Sequence, residues 1–147
     1  MGGGRRLQDA DYRALLAFRD GLRRFLRWSE EAARRAGLTP AQHQLLLAIR
    51  GHGSPPAIGD VARHLLLRHH SVVELVDRAE KAGLVARAQD PRDHRVVRLR
   101  LTPLGRRKLE ALTAAHIEEL RRLHDRLAAL WDGLLPGGQA ATPARHD

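Results

Sequence analysis

Two stretches of this chain carry side chains suited to gripping a polyanion. The first is Asp90-Pro91-Arg92-Asp93-His94-Arg95, which sets two arginines and a histidine on a short turn. Pro91 and the two aspartates favour the bend. A guanidinium grips phosphate or guanine through a planar fork, so Arg92 and Arg95, with His94 between them, read as DNA contacts. The second stretch is Arg68-His69-His70-Ser71, followed by Glu74 and Arg78. Arg68, His69, His70 and Ser71 offer donors to guanine or phosphate, and Glu74 offers an acceptor for a cytosine amino group. Arg78 and Lys81 suit backbone phosphates, or simply pair with Glu74 and Asp77 at helical spacing. A charged hairpin is more often a solvated one, so the reading rests on what holds these residues.

The positioning elements are legible from periodicity. Val97, Leu99 and Leu101 alternate with Arg98 and Arg100, the pattern of a half-buried strand, and Gly83 to Arg87 supplies the strand before the turn. Upstream, helices are expected over 58–66 and 70–82. Ile58, Val61, Ala62 and Leu65 form the inner face of one; Val72, Leu75, Val76, Ala79 and Ala82 form that of the other. This is a helix-turn-helix followed by a β-hairpin, in which the N-terminus of the second helix meets base edges. Thr39-Pro40 opens a nearly all-apolar helix over 40–50 that should be buried. The predicted fold is mainly α with a small β-hairpin wing. Residues 37–101 form a winged helix-turn-helix lobe, and 8–36 and 102–134 are the N- and C-terminal dimerisation helices. Residues 1–7 and 135–147 are expected to be disordered tails.

The dimer is inferred from Leu109, Leu112, His116, Leu120, Leu123, Leu127, Leu130 and Leu134, a stripe longer than the small central module can cover. The competing arrangement is a single-chain bundle in which the first and last helices cover each other.

Bulk properties narrow the function. The chain has 147 residues, enough for one domain, and a formal net charge of +9. Its sequence pI of about 11.4 makes a polyanionic partner plausible. All basic residues but Lys81 and Lys108 are arginine, a bias that a GC-rich genome also produces. The surplus is +4 in residues 1–40, +4 in 41–101 and +1 in 102–147. Positive charge is concentrated only in the hairpin, where five arginines face two aspartates. With no cysteine, disulfides, thiol sensing and Cys-ligated zinc are excluded. The nine histidines lack single-helix metal spacing, so no metal and no cofactor are expected. No segment is long and apolar enough for a membrane span, and the N-terminus has neither a secretory core nor a myristoylation signal, which predicts a cytoplasmic protein. No nucleophile elbow, phosphate loop or paired carboxylates appear, so no catalytic residue is assigned. A small helical enzyme using a histidine base is the remote alternative. A non-specific nucleoid-type DNA-coating protein is the closer one.

Three segments together resemble the MarR family of bacterial transcriptional regulators. They are Gly37-Leu38-Thr39-Pro40-Ala41-Gln42; Leu75-Val76-Asp77-Arg78-Ala79-Glu80-Lys81-Ala82-Gly83-Leu84-Val85; and Asp90-Pro91-Arg92-Asp93-His94-Arg95 with Leu101-Thr102-Pro103-Leu104-Gly105 behind it. The resemblance implies a homodimer of winged lobes, acting as a repressor on double-stranded DNA at a pseudo-palindromic operator. It places Arg92 at the wing tip entering the minor groove, with Asp90 and Arg95 shaping the wing through ion pairs. It also implies release by a small aromatic or anionic effector, for which Trp28, His43 and His116 are the candidate lining; each alone is more simply a packed core residue. The chain departs from the family where Arg68 stands in place of a Ser or Thr cap, Leu66 in place of a turn glycine, and Glu74 in place of a neutral or basic residue.

Overall fold

The computed structural model describes residues 5–134; the tail expected over 135–147 and residues 1–4 lie outside them. Five helices and one hairpin follow in the order α1 (Asp9–Arg35), α2 (Pro40–Gly51), α3 (Ile58–Leu65), α4 (His69–Lys81), β1 (Val85–Gln89), β2 (Val97–Leu101) and α5 (Pro103–Leu134).

Local chemistry sets most boundaries. α1 carries Asp9 and Asp11 in its first turn and Arg34 and Arg35 in its last, complementing the helix dipole. It stops at Gly37, whose φ of 78° lets the Leu38 amide turn back to the Ala33 carbonyl at 3.0 Å. α2 opens on a capping box: Thr39 Oγ1 accepts from the Gln42 amide at 3.1 Å, and Gln42 Oε1 accepts from the Thr39 amide at 3.0 Å. At the start of α3 the Asp60 carboxylate accepts from the Ala57 amide at 2.9 Å. α3 ends at Leu66 (φ 54°, ψ 40°), the one non-glycine residue with positive φ among the described residues. α5 is opened by Thr102, whose Oγ1 accepts from the Gly105 amide at 3.1 Å and donates to the Gly83 carbonyl at 2.5 Å.

β1 and β2 pair antiparallel from Val85↔Leu101 to Gln89↔Val97. The outer edge of β2 is part-covered by the α2–α3 connection, through an Ala57↔Arg98 bridge and a Leu99 amide to Pro56 carbonyl bond of 2.9 Å. At the other end, α5 approaches the sheet so closely that a Cβ on Gly105 would overlap the Leu84 carbonyl. Glycine is therefore obligatory there.

The described residues divide into two compact units, 28–117 and the pair 5–27 with 118–134. The larger unit thus includes the end of α1 and the start of α5 with the winged lobe. Its core gathers Ala33, Leu45, Leu46, Val61, Val72, Val76, Ala79 and Leu99, all fully buried, with Leu109 and Leu112 from α5. Two details differ from the sequence expectation. Leu47 of α2 is 44% exposed, because a helix on the rim of a lobe buries one stripe and not its whole surface. Ala82 is exposed as well, since α4 has already ended at Lys81. In the smaller unit, Phe18 and Trp131 meet with ring centroids 6.0 Å apart, and no described side chain is buried. No described helix is long and apolar enough to cross a membrane.

Candidate nucleic-acid interface

The wing is held by carboxylates and tipped with an arginine that has no ion-pair partner among the described residues. Asp90 accepts from the Arg92 amide (2.7 Å), the Asp93 amide (3.3 Å) and Arg98 Nε (2.8 Å), while its own amide reaches the Val96 carbonyl at 2.9 Å. The Arg98 guanidinium, followed by the Arg92 amide, holds the Asp90 carboxyl below the usual carboxylate range. Arg95 pairs with Asp93 at 3.3 Å. Asp90 and Arg95 each make an ion pair, with partners that spacing alone did not single out. Arg98 also lies 3.9 Å from Asp60, whose pKa is lowered first by the Ala57 amide and then by Arg63, His52 and Arg98. This Asp90–Arg98–Asp60 chain pins the hairpin to the start of α3. Sequence reasoning missed it, because an Arg alternating with apolar residues reads as an outward strand position. The Arg92 side chain makes no hydrogen bond or ion pair among the described residues, and His94 beside it is exposed.

α4 presents Arg68, His69 and His70 to solvent at its N-terminus, with Ser71 half-buried and Glu74 and Arg78 exposed one and two turns on. Arg68 occupies the cap position without a side-chain cap bond, leaving the first backbone N–H groups without that partner. Of the two alternatives for Arg78 and Lys81, phosphate contact or pairing with Glu74 and Asp77, the pairing does not form among the described residues. Arg87 of β1 reaches Asp77 at 2.6 Å and Glu80 at 3.1 Å, tying the wing to α4 and leaving Arg78 without a carboxylate among the described residues. A hairpin strand laid along the helix supplies a nearer guanidinium than the next helical turn does.

Trp28, His43 and His116 come together, but as a packed cluster. The His116 ring stands 4.9 Å from Trp28, edge-on, and 4.7 Å from His43 between centroids. His116 Nδ1 lies 2.7 Å from the Leu112 carbonyl, which only accepts, so Nδ1 carries the proton. Its Nε2 is 2.6 Å from Ser29 Oγ and accepts the hydroxyl proton when the ring is neutral. His43 is 3% exposed; burial, then the neighbouring His116, pushes its pKa down, so it sits neutral. A second histidine pair, His52 Nδ1 to His64 Nε2 at 3.0 Å, was not anticipated from spacing. No group of three or more potential metal ligands occurs among the described residues.

Known proteins share this fold. A model of the MarR family matches residues 36–96, from the end of α1 to the wing. The HTH-type transcriptional repressor MdtR of Bacillus subtilis is 33% identical over 84 residues, covering 57% of this chain and 54% of MdtR. The chain spans about half the length of this and a second curated relative. A MarR family protein from Bacillus stearothermophilus aligns with TM-score 0.65 at 29% identity, over 78% of this chain and 77% of that one. A point mutant of MepR from S. aureus, solved bound to an oligodeoxyribonucleotide, aligns with TM-score 0.66 over 83% of this chain and 95% of its own; at 21% identity this speaks for the fold alone. With the lobe, the wing and these matches in agreement, residues 36–96 match the MarR family and form its winged helix-turn-helix fold.

Proposed function

We propose that this protein is a cytoplasmic transcriptional repressor that binds a pseudo-palindromic operator in double-stranded DNA as a homodimer. The observation that carries the reading is the division of labour among the wing arginines. Arg87, Arg95 and Arg98 are engaged by carboxylates, whereas Arg92 projects from the tip without a counter-charge among the described residues. An arginine so held suits a narrow minor groove, where negative potential is focused. The exposed N-terminus of α4, with Arg68, His69, His70 and Ser71, faces base edges in such a complex, Glu74 accepts from a cytosine, and Arg78 meets the backbone. MdtR is a repressor and the MepR mutant was solved on DNA, which agrees with this assignment.

The homodimer is supported by the apolar side chains left uncovered on the terminal helices, among them Leu15, Leu16, Leu26, Leu120 and Trp131. Phe18, Leu120, Leu123, Leu127 and Trp131 also line a recess there, which a second copy would fill. A small aromatic or anionic effector acting at Trp28, His43 and His116 completes the reading. Its support is the meeting of these three rings beside the lobe's core, and a titration of Trp28 fluorescence with benzoate tests it.

The deciding experiment titrates the protein onto the DNA upstream of its own reading frame, against excess unrelated duplex at near-physiological salt. Protection of an inverted repeat with half-sites about one helical turn apart is the expected result. Arg92→Ala should weaken that binding by roughly 1–3 kcal/mol while leaving the fold intact. Equal binding to all duplexes, collapsing with salt, would instead identify a non-specific DNA-coating protein.

A further inference from the structure

Beyond Leu99 the outer edge of β2 loses its cover. The α2–α3 connection pairs with β2 at Ala57↔Arg98 and through the Leu99 amide, then turns away at Gly53-Ser54-Pro55. A recess of about 300 Å³ opens there, between this connection, β2, the end of α2 and the first turn of α5. Backbone N–H groups two residues apart on a strand point the same way, so the Leu101 amide is aimed toward this open edge as the Leu99 amide is toward Pro56.

Three arginines from three separate elements line the recess: Arg50 from α2, Arg100 from β2 and Arg106 from α5. None of the three side chains makes an ion pair among the described residues, and no acidic side chain lines the recess. Arg87, Arg95 and Arg98 nearby each meet a carboxylate. Ile49 and Leu99, both buried, form an apolar floor, and Ser54 adds a hydroxyl at the rim. Guanidinium groups stay charged at any physiological pH, so three of them around one concavity repel until an anion is bound.

We propose that this recess binds a small organic dianion, a phosphate monoester or dicarboxylate, with its charged head among Arg50, Arg100 and Arg106 and its apolar body on Ile49 and Leu99. The volume lies at the low end of the roughly 300–1,000 Å³ typical of ligand sites, which suits a metabolite-sized molecule. A DNA backbone phosphate would need neither the concavity nor the apolar floor. The site goes beyond the DNA-binding reading and is tested on the free protein.

The probe is phenyl phosphate at slightly alkaline pH and near-physiological salt, with benzyl alcohol as the uncharged control. Calorimetry on the full chain should give one saturable site per chain for phenyl phosphate and none for the alcohol, and the Leu101 amide should be among those shifted in the amide NMR spectrum. Arg50→Gln and Arg106→Gln should each weaken binding at least about tenfold, as loss of a charge-assisted bond does. Arg106→Lys, which keeps the charge but not the fork, should fall between. Arg92→Gln, on the wing tip, should leave binding unchanged. All of these positions are exposed, so the variants should fold. Absence of saturable binding, or equal weakening by Arg92→Gln, would overturn the proposal. So would loss of duplex binding in Arg50→Gln and Arg106→Gln with phenyl phosphate binding intact, which would make the recess a nucleic-acid contact.

Discussion

The winged lobe and the paired helix ends solve the burial problem in opposite ways. Among the described residues, every buried side chain lies between Ser29 and Leu112, inside the larger unit formed by the lobe with the adjoining ends of α1 and α5. The same two long helices continue outside it and leave Leu16 58% and Trp131 54% exposed. α5 shows the change within one stripe: Leu109 and Leu112 are 4% exposed, and Leu120, two turns on, is 46% exposed. A leucine stripe therefore reports that a helix has something to bury, not what buries it. In the lobe the covering surface comes from the same chain. Two helix ends are too small to bury both their apolar faces on each other, so in the proposed dimer their stability depends on the second copy.

Four changes would break or sharpen this contrast. The largest effect is expected from Leu123→Asp, which places an unpaired carboxylate in the apolar recess of the terminal helices. Dimerisation should weaken by at least about 4 kcal/mol, roughly a thousandfold, while the lobe's far-UV signal stays intact. A dimer unchanged in light scattering would place the interface elsewhere. Gly105→Ala acts on the other region. Its Cβ overlaps the Leu84 carbonyl, so the backbone must move, destabilising the lobe by about 3 kcal/mol in denaturant unfolding.

Leu66→Gly should be stabilising. The left-handed backbone costs leucine roughly 1–2 kcal/mol, of which glycine's extra unfolded-state freedom returns part, for a net gain of about 0.5–1 kcal/mol in the same unfolding measurement. Leu66 is 91% exposed, so little packing is lost. Last comes pH. The folded pKa of His43 lies below its unfolded value, so the unfolded chain binds more protons. Its contribution is present above the unfolded value, near 6.5, and is lost as pH falls through the lowered folded one. The fall in the lobe's melting midpoint between about pH 7.5 and 5.5 should be smaller in His43→Gln. Trp28 beside His116 and Trp131 beside Phe18 report on the two regions separately when either is replaced by Phe.

Most of the fold was legible in advance because its signals are local. Thr39-Pro40 with Gln42, Gly37, the alternation of Val97, Leu99 and Leu101, and the turn at Pro91 each act within a few residues, and the elements fall where they point. The candidate site was legible as a set of residue types at its two exposed ends, Arg92 on the wing and Arg68 to Ser71 on α4. Its internal wiring was not. Arg87 to Asp77 and Glu80, Arg98 to Asp90 and Asp60, and His52 to His64 join different elements, and no spacing rule within one helix or strand reaches across them.

What the sequence alone determined is what short-range physics determines: charge, the lack of cysteine, the helices with their caps, the hairpin, and a family likeness carried by contiguous segments. The tertiary structure decided which of five clustered wing arginines are engaged and which project, where along α1 and α5 a buried stripe becomes an uncovered one, and that Arg50, Arg100 and Arg106 share one recess. The reason is range. Capping, turn formation and periodicity are settled within one turn of chain, whereas ion pairing and burial depend on which distant surface arrives, and that is known only once the chain has folded.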